Sequence, residues 1–153
     1  MSSDNKELLV SGIERTKHWF EQAIPEPTDE QKCIQIGCHY EEVAEMMVPL
    51  VDDTAGIEVS DLAEQHKECK PEHLAYLPSL DEEERIALLD SLADQIVTAV
   101  GVAHMFGMDI SGALEEVNRS NFSKFENGKP VFDENGKITK GRDYTPPNLK
   151  PYI

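Results

Sequence analysis

The stretch HYEEVAEMM, residues 39–47, sets Glu41, Glu42 and Glu45 among apolar neighbours. Residues three apart share one face of a helix, so His39, Glu42 and Glu45 form a row. A second acidic pair, Asp90 and Asp94, lies in DSLADQIVTAVGVA, four residues apart and beside an apolar stripe. Aspartate in mid-helix is unfavourable by propensity, and burying it without a partner costs several kcal/mol. Arg85 is the only lysine or arginine between Lys70 and Gly107, so nearby cations do not satisfy both pairs. A divalent metal does. An all-oxygen donor set suits magnesium or manganese, and such ions neutralise phosphate oxygens and activate water. A di-iron bundle would use Glu-x-x-His, and no glutamate here has a histidine three residues on. The plain alternative is a solvated acidic face.

These acids need long helices to hold them. Residues 5–23 predict a first helix with Leu8, Leu9, Ile13, Trp19 and Phe20 on its apolar side. Pro25 and Pro27 end it, and Thr28 or Asp29 caps a second over about 30–50. A short helix is expected over 60–69. The stripe Ile86, Leu89, Ala93, Ile96, Val100 and Ala103 predicts a helix over 81–106, ended by Gly107. Asp109 or Ser111 caps a further one. Asn135-Gly136 between apolar runs is the strongest short hairpin signal, and a proline-rich tail pinned by Tyr144, Leu149 and Tyr152 follows. The fold expected is all-α, four to five helices with a short C-terminal β-hairpin and extended tail (about 126–153), in one domain, 1–153.

Charge narrows the partners. The chain carries 30 acidic and 14 lysine or arginine side chains, a net −16. Residues 1–94 hold 23 acids and 7 bases, whereas residues 117–153 hold 4 acids and 7 bases. An acidic body repels phosphate duplexes, so no nucleic acid is expected as partner. An acidic site with a basic tail suits a small polyanion held through divalent metal. No apolar run approaches the roughly 18–20 residues of a membrane span, so no membrane is expected. The N-terminus has neither a basic start nor an apolar signal core, and three cysteines without metal-type spacing read as reduced thiols; the expected location is cytoplasmic.

HYEEVAEMM followed by DSLADQIVTAVGVA resembles the all-α nucleoside triphosphate pyrophosphohydrolase superfamily, nearest its small phage-type MazG-like and phosphoribosyl-ATP pyrophosphohydrolase-like single-domain members. HWFEQAIPEPTDE, EEVNRSNFSKF and GKITKGRDYTPPNLKPYI extend the resemblance over most of the chain. It implies hydrolysis of a nucleoside triphosphate between the α and β phosphates, with two to three magnesium (or manganese) ions. Purine deoxynucleotides, dGTP or dATP, are the first substrates to try. The family's EExxE and ExxD motifs map the metal ligands onto Glu42, Glu45 and Asp94. The family's remaining glutamate position is Ser91 here, and Asp90, one residue earlier, takes its place. Glu41 is either a further ligand or the base that orients water, unless it is a surface charge.

The resemblance also implies a polar row on the next helix, where Asn118, Asn121 and Lys124 would face the triphosphate. Lys140 and Arg142 either close over phosphates or form an exposed basic loop. Trp19 either stacks on a base or belongs to the core, and His39 supports a ligand. Arg119, His18 and His104 are expected to be structural. A homodimer or homotetramer is implied, because such proteins bury apolar helix faces between subunits. The alternative from another class is a non-enzymatic acidic protein that mimics DNA for a basic partner; a di-iron carboxylate bundle ranks below it.

Overall fold

A computed structural model describes residues 11–153. In chain order the helices are α1 (Gly12–Ala23), α2 (Asp29–Leu50), α3 (Ile57–Lys67), α4 (Pro71–Leu74), α5 (Glu82–Met105) and α6 (Ile110–Phe122), with single 3-10 turns at Leu77–Ser79 and Lys150–Tyr152. The protein is all-α, as its apolar periodicities predict. The start expected for α1, with Leu8 and Leu9, lies outside the described residues.

Local chemistry fixes the helix ends. Ser11 and Glu14 form a capping box at α1, and Thr28 and Gln31 form another at α2. Asp81 and Glu84 exchange the same pair of bonds, each 2.9 Å, at the start of α5. Asp109 caps α6 through the Gly112 amide. The α3 helix begins earlier than the sequence suggests, at Ile57 behind Gly56, because the chain turns back at once after α2.

The chain divides into two compact units, Glu26–Ile86 and the combination of the segment ending at Pro25 with Ala87–Ile153. In the first, α3 folds back along α2. Gly37 marks the close approach: a β-carbon there would come within 2.7 Å of the Ala63 carbonyl and 2.9 Å of the Lys67 amide. Cys33, Ala44 and Ala63 fill the seam.

In the second unit α1 packs on α6. Trp19, Ala23 and Phe125 form its core, with Phe20, Ile24, Phe122 and Ile138 around them. The Asn118 side chain is 1% exposed and ties the two helices. Its amide donates to the Gly12 carbonyl at 2.8 Å, and the Thr16 hydroxyl donates to its Oδ1 at 2.9 Å. Arg15 pairs with Glu115 across the same contact.

The hairpin expected around Asn135-Gly136 is reduced. Among the described residues, that segment shows a turn closed by one isolated antiparallel bridge, Phe132 to Ile138, rather than strands, and a separate bridge, Glu126 to Lys129, closes the turn at Asn127-Gly128. Gly136 supplies the positive φ that the Asn135-Gly136 turn needs. Asp133 organises it through its own side chain, which accepts from the amides of Asn135 and Lys137.

The stripe on α5 is the main departure from expectation. It was predicted to be core. Along the described chain most of it is exposed instead: Ile86 is 61%, Leu89 69%, Ile96 48% and Val100 46% exposed, and of the stripe Ala103 alone is buried. Amphipathic spacing reports that a face will be covered, not which chain covers it. The expectation that no apolar run approaches a membrane span is corrected here: by length and composition α5 is long and apolar enough to cross one, because Asp90 and Asp94 interrupt its apolar run without lowering its mean hydropathy below that mark. Those aspartates sit near the middle of the helix, where each costs roughly 3 kcal/mol in a bilayer.

The Gly37 contact yields a test. Gly37→Val should destabilise the α2–α3 pair by about 2–3 kcal/mol through overpacking. Urea unfolding measures this, and an unchanged midpoint would show that the seam is not close-packed.

Candidate functional site

Glu41, Glu42 and Glu45 project from the second half of α2. Glu42 and Glu45 are exposed. Glu41 is half-buried and accepts from Lys67 Nζ at 2.8 Å, and the same ammonium bonds Glu64 at 2.5 Å. Burial works against the Lys67 charge, but hydrogen bonds and attraction from Glu41 and Glu64 outweigh it and push its pKa up. Glu41 therefore faces α3, and a carboxylate paired with a permanent ammonium is a weak proton acceptor. Pro49 has no N–H, so the helix ladder gives the Glu45 carbonyl no partner at that position.

Asp90 and Asp94 project from α5 in the second unit, and both are exposed. The sequence-based premise that they are buried beside the apolar stripe is thus corrected for the single chain, because the stripe itself is exposed. Within either unit, among the described residues, no three His, Cys, Asp or Glu side chains form a ready-made metal cage.

The residues assigned to phosphate separate into two sets. Asn118 is taken out of the row: it is buried, and its amide and carbonyl oxygen are spent on Gly12 and Thr16. Trp19 is likewise core rather than a base platform. It is 7% exposed, stacks on Phe125 at 5.5 Å and donates its indole N–H to the Asn121 carbonyl at 2.9 Å. Lys124 remains, with its Nζ 5.9 Å from the Trp19 ring centre. The Gly141 amide donates to the Lys124 carbonyl at 3.1 Å, which brings the chain around Lys140 beside the end of α6. Lys140 lies over the Tyr144 ring at 4.9 Å. Asn121, Lys124, Lys140 and Arg142 thus belong to one neighbourhood, since the Arg142 amide also donates to the Glu126 carboxylate at 2.7 Å.

Arg119 is structural, as its place on the helix suggests. It chelates Glu116 through two bonds of 2.8 Å and reaches Thr145 and Pro146 of the tail. Glu116 in turn accepts from the Asn148 amide at 2.8 Å. Ser120 and Ser123 hold Thr145. The tail is pinned mainly by this polar clamp, joined by Tyr152, whose carbonyl accepts from Asp109. Glu116 and Arg119 at i, i+3 are visible in sequence, but their bonds to residues some 30 positions away are not. Lys67 escaped for the same reason: its partner Glu41 is 26 residues distant.

Comparison with protein-family models, with curated proteins and with solved structures returns no match to this chain.

The clamp predicts a pH dependence. Arg119 and then the Asn148 amide hold the Glu116 carboxyl at about 2, below its ordinary 4.5. A depressed carboxyl stabilises above its ordinary value and stops doing so as pH falls through the folded one. The tail should therefore stay docked at pH 5 and release as pH falls from about 4.5 toward 2, whereas Glu116→Gln should loosen it at neutral pH. Amide exchange at Thr145 and Asn148 reads this; tail release well above pH 5 in the unaltered protein would contradict it.

Proposed function

We propose that this protein is a metal-dependent pyrophosphohydrolase that cleaves a (deoxy)nucleoside triphosphate between the α and β phosphates. The observation that carries the proposal is α5: a long helix whose apolar surface demands cover and whose two embedded carboxylates, once covered, demand a cation. The donors fit hard divalent ions, since Glu42, Glu45, Asp90 and Asp94 offer only carboxylate oxygens. They would hold two to three magnesium or manganese ions. When bound, these ions supply positive charge against the phosphate oxygens and lower the pKa of water.

The chain's own residues then have distinct tasks. Glu45 is the proton acceptor of choice, because Glu41 is paired with Lys67. Glu41 instead keeps α2 in register with α3, which fixes where Glu42 and Glu45 emerge. Lys124 and Lys140 offset charge on the leaving pyrophosphate, and Asn121 orients the chain of phosphates. Purine deoxynucleotides, dGTP and dATP, are the favoured substrates on the resemblance of HYEEVAEMM and DSLADQIVTAVGVA to the MazG-like group.

The cover for α5 is proposed to be further copies of the same chain, as a homodimer or homotetramer in the cytoplasm. A bilayer is the weaker cover, given the cost of Asp90 and Asp94 at mid-helix. A second class of function is favoured by one observation: Glu42, Glu45, Asp90 and Asp94 are all exposed in the single chain. Surface carboxylates are what a DNA-mimicking or basic-partner-binding protein presents. A magnesium-dependent rise in melting temperature separates the two, because a mimic has no specific use for the ion.

Turnover is tested with dGTP and dATP in magnesium, resolving the products by chromatography. The monophosphate and pyrophosphate should appear together. Glu45→Gln and Asp94→Asn should each lower the rate by more than about 100-fold while retaining helix content and melting temperature. Near-normal pyrophosphate release by either variant would overturn the ligand assignment.

A further inference from the structure

The α2–α3 pair carries two thiols at one level. Near its turn, Gly56 lies against Ala44, and further along Gly37 lies against Ala63 and Lys67. Cys33 is one helical turn before Gly37 on the same seam and is fully buried. On the opposing side, two residues past Lys67, stands Cys69. Its Sγ lies 3.6 Å from the Glu30 carbonyl, in the turn of α2 that precedes Cys33, and 3.8 Å from the Lys67 carbonyl. The contact with the Glu30 carbonyl sets Cys69 against the turn of α2 that leads into Cys33, near enough for each thiol to affect the other's titration. Cys69 also holds a φ of 53°, a left-handed backbone that a residue with a β-carbon adopts at a cost.

We infer that Cys33 and Cys69 form a reversible disulfide that staples α2 to the end of α3 under oxidation by a peroxide. Cys69 is half-buried and Cys33 is fully enclosed, so the oxidant meets Cys69 first. The Cys69 thiolate attacks hydrogen peroxide. An S–O bond forms, the O–O bond breaks, and hydroxide leaves to become water. The Cys33 thiolate then attacks the Cys69 sulfur; the S–S bond forms, the S–O bond breaks, and the second oxygen leaves as water. Two thiols are oxidised and one peroxide is reduced to two waters. A dithiol reverses the bond by exchange.

This staple is slow by construction. Burial pushes both thiols up, and the nearby charge of Glu30 adds to the effect at Cys69. Thiolate is therefore scarce at neutral pH, and closure should quicken as pH rises toward 9 and beyond. The bond would close a loop of roughly 37 residues, which chiefly restricts the unfolded chain.

The test treats the full-length protein with hydrogen peroxide at pH 7 and pH 9, blocks remaining thiols and maps peptides by mass. A Cys33–Cys69 linked peptide should form faster at pH 9. The linked protein should melt about 10 °C higher, and dithiothreitol should remove the gain. Cys33→Ser and Cys69→Gly, the latter suited to the left-handed backbone, should show neither link nor gain, whereas Cys38→Ser should behave as the unaltered protein. A link to Cys38, a link between chains, separate oxidation of each thiol without a link, or a linked protein with an unchanged melting temperature would each overturn the inference.

Discussion

Two demands conflict within α5. Its apolar side chains argue for removal from water, and Asp90 and Asp94, set among them, argue for remaining in it. Burying several Leu, Ile and Val side chains is worth about 1.5–3 kcal/mol each, so cover wins on area. The same cover strips water from the carboxylates, at several kcal/mol for each one left without a partner. The proposed divalent cation, shared with other carboxylates, would resolve both demands at once. In the single chain the aspartates are exposed and the conflict is only latent, so a metal and an assembly stand or fall together in this account.

Outside α5, polar ties do much of the positioning. The second unit has few fully buried large side chains, and Asn118 sits among them as a crosslink between α1 and α6 rather than a contact for ligand. Glu116 and Arg119 clamp the tail to α6, and Lys67 ties α2 to α3 through Glu41. Each bond lies one or two helical turns from a residue proposed to act on phosphate or metal. These ties set where Glu45, Asn121 and Lys124 emerge, so their loss would be felt as misplacement before it was felt as unfolding.

The boundaries that rest on local chemistry were legible, Thr28 with Gln31, Asp109 with Gly112, and Gly107 after α5, whereas the start of α3 behind Gly56, which has no side-chain cap, was not. Amphipathic spacing found α5 but misjudged its surroundings, since period carries no information about whether the covering surface belongs to the same chain. The short α4 helix went unseen because four residues are too few to show a period. The spacing of Asn121 and Lys124 was legible, whereas the approach of Lys140 through the Gly141–Lys124 backbone bond leaves no local signal. Asn118 and Trp19 were not separable from ligand contacts, because a polar row at helical spacing looks the same whether it faces solvent or another helix. The hairpin signal at Asn135-Gly136 correctly marked a turn, but its flanks are too short and polar to pair beyond one isolated bridge.

Amide hydrogen exchange along α5, with and without magnesium, tests the central claim most directly. The account predicts that residues 87–105 are protected in the assembled protein and exchange more slowly still when magnesium is added, with the added protection absent in Asp94→Asn. Fast exchange along α5 that magnesium leaves unaltered would contradict it.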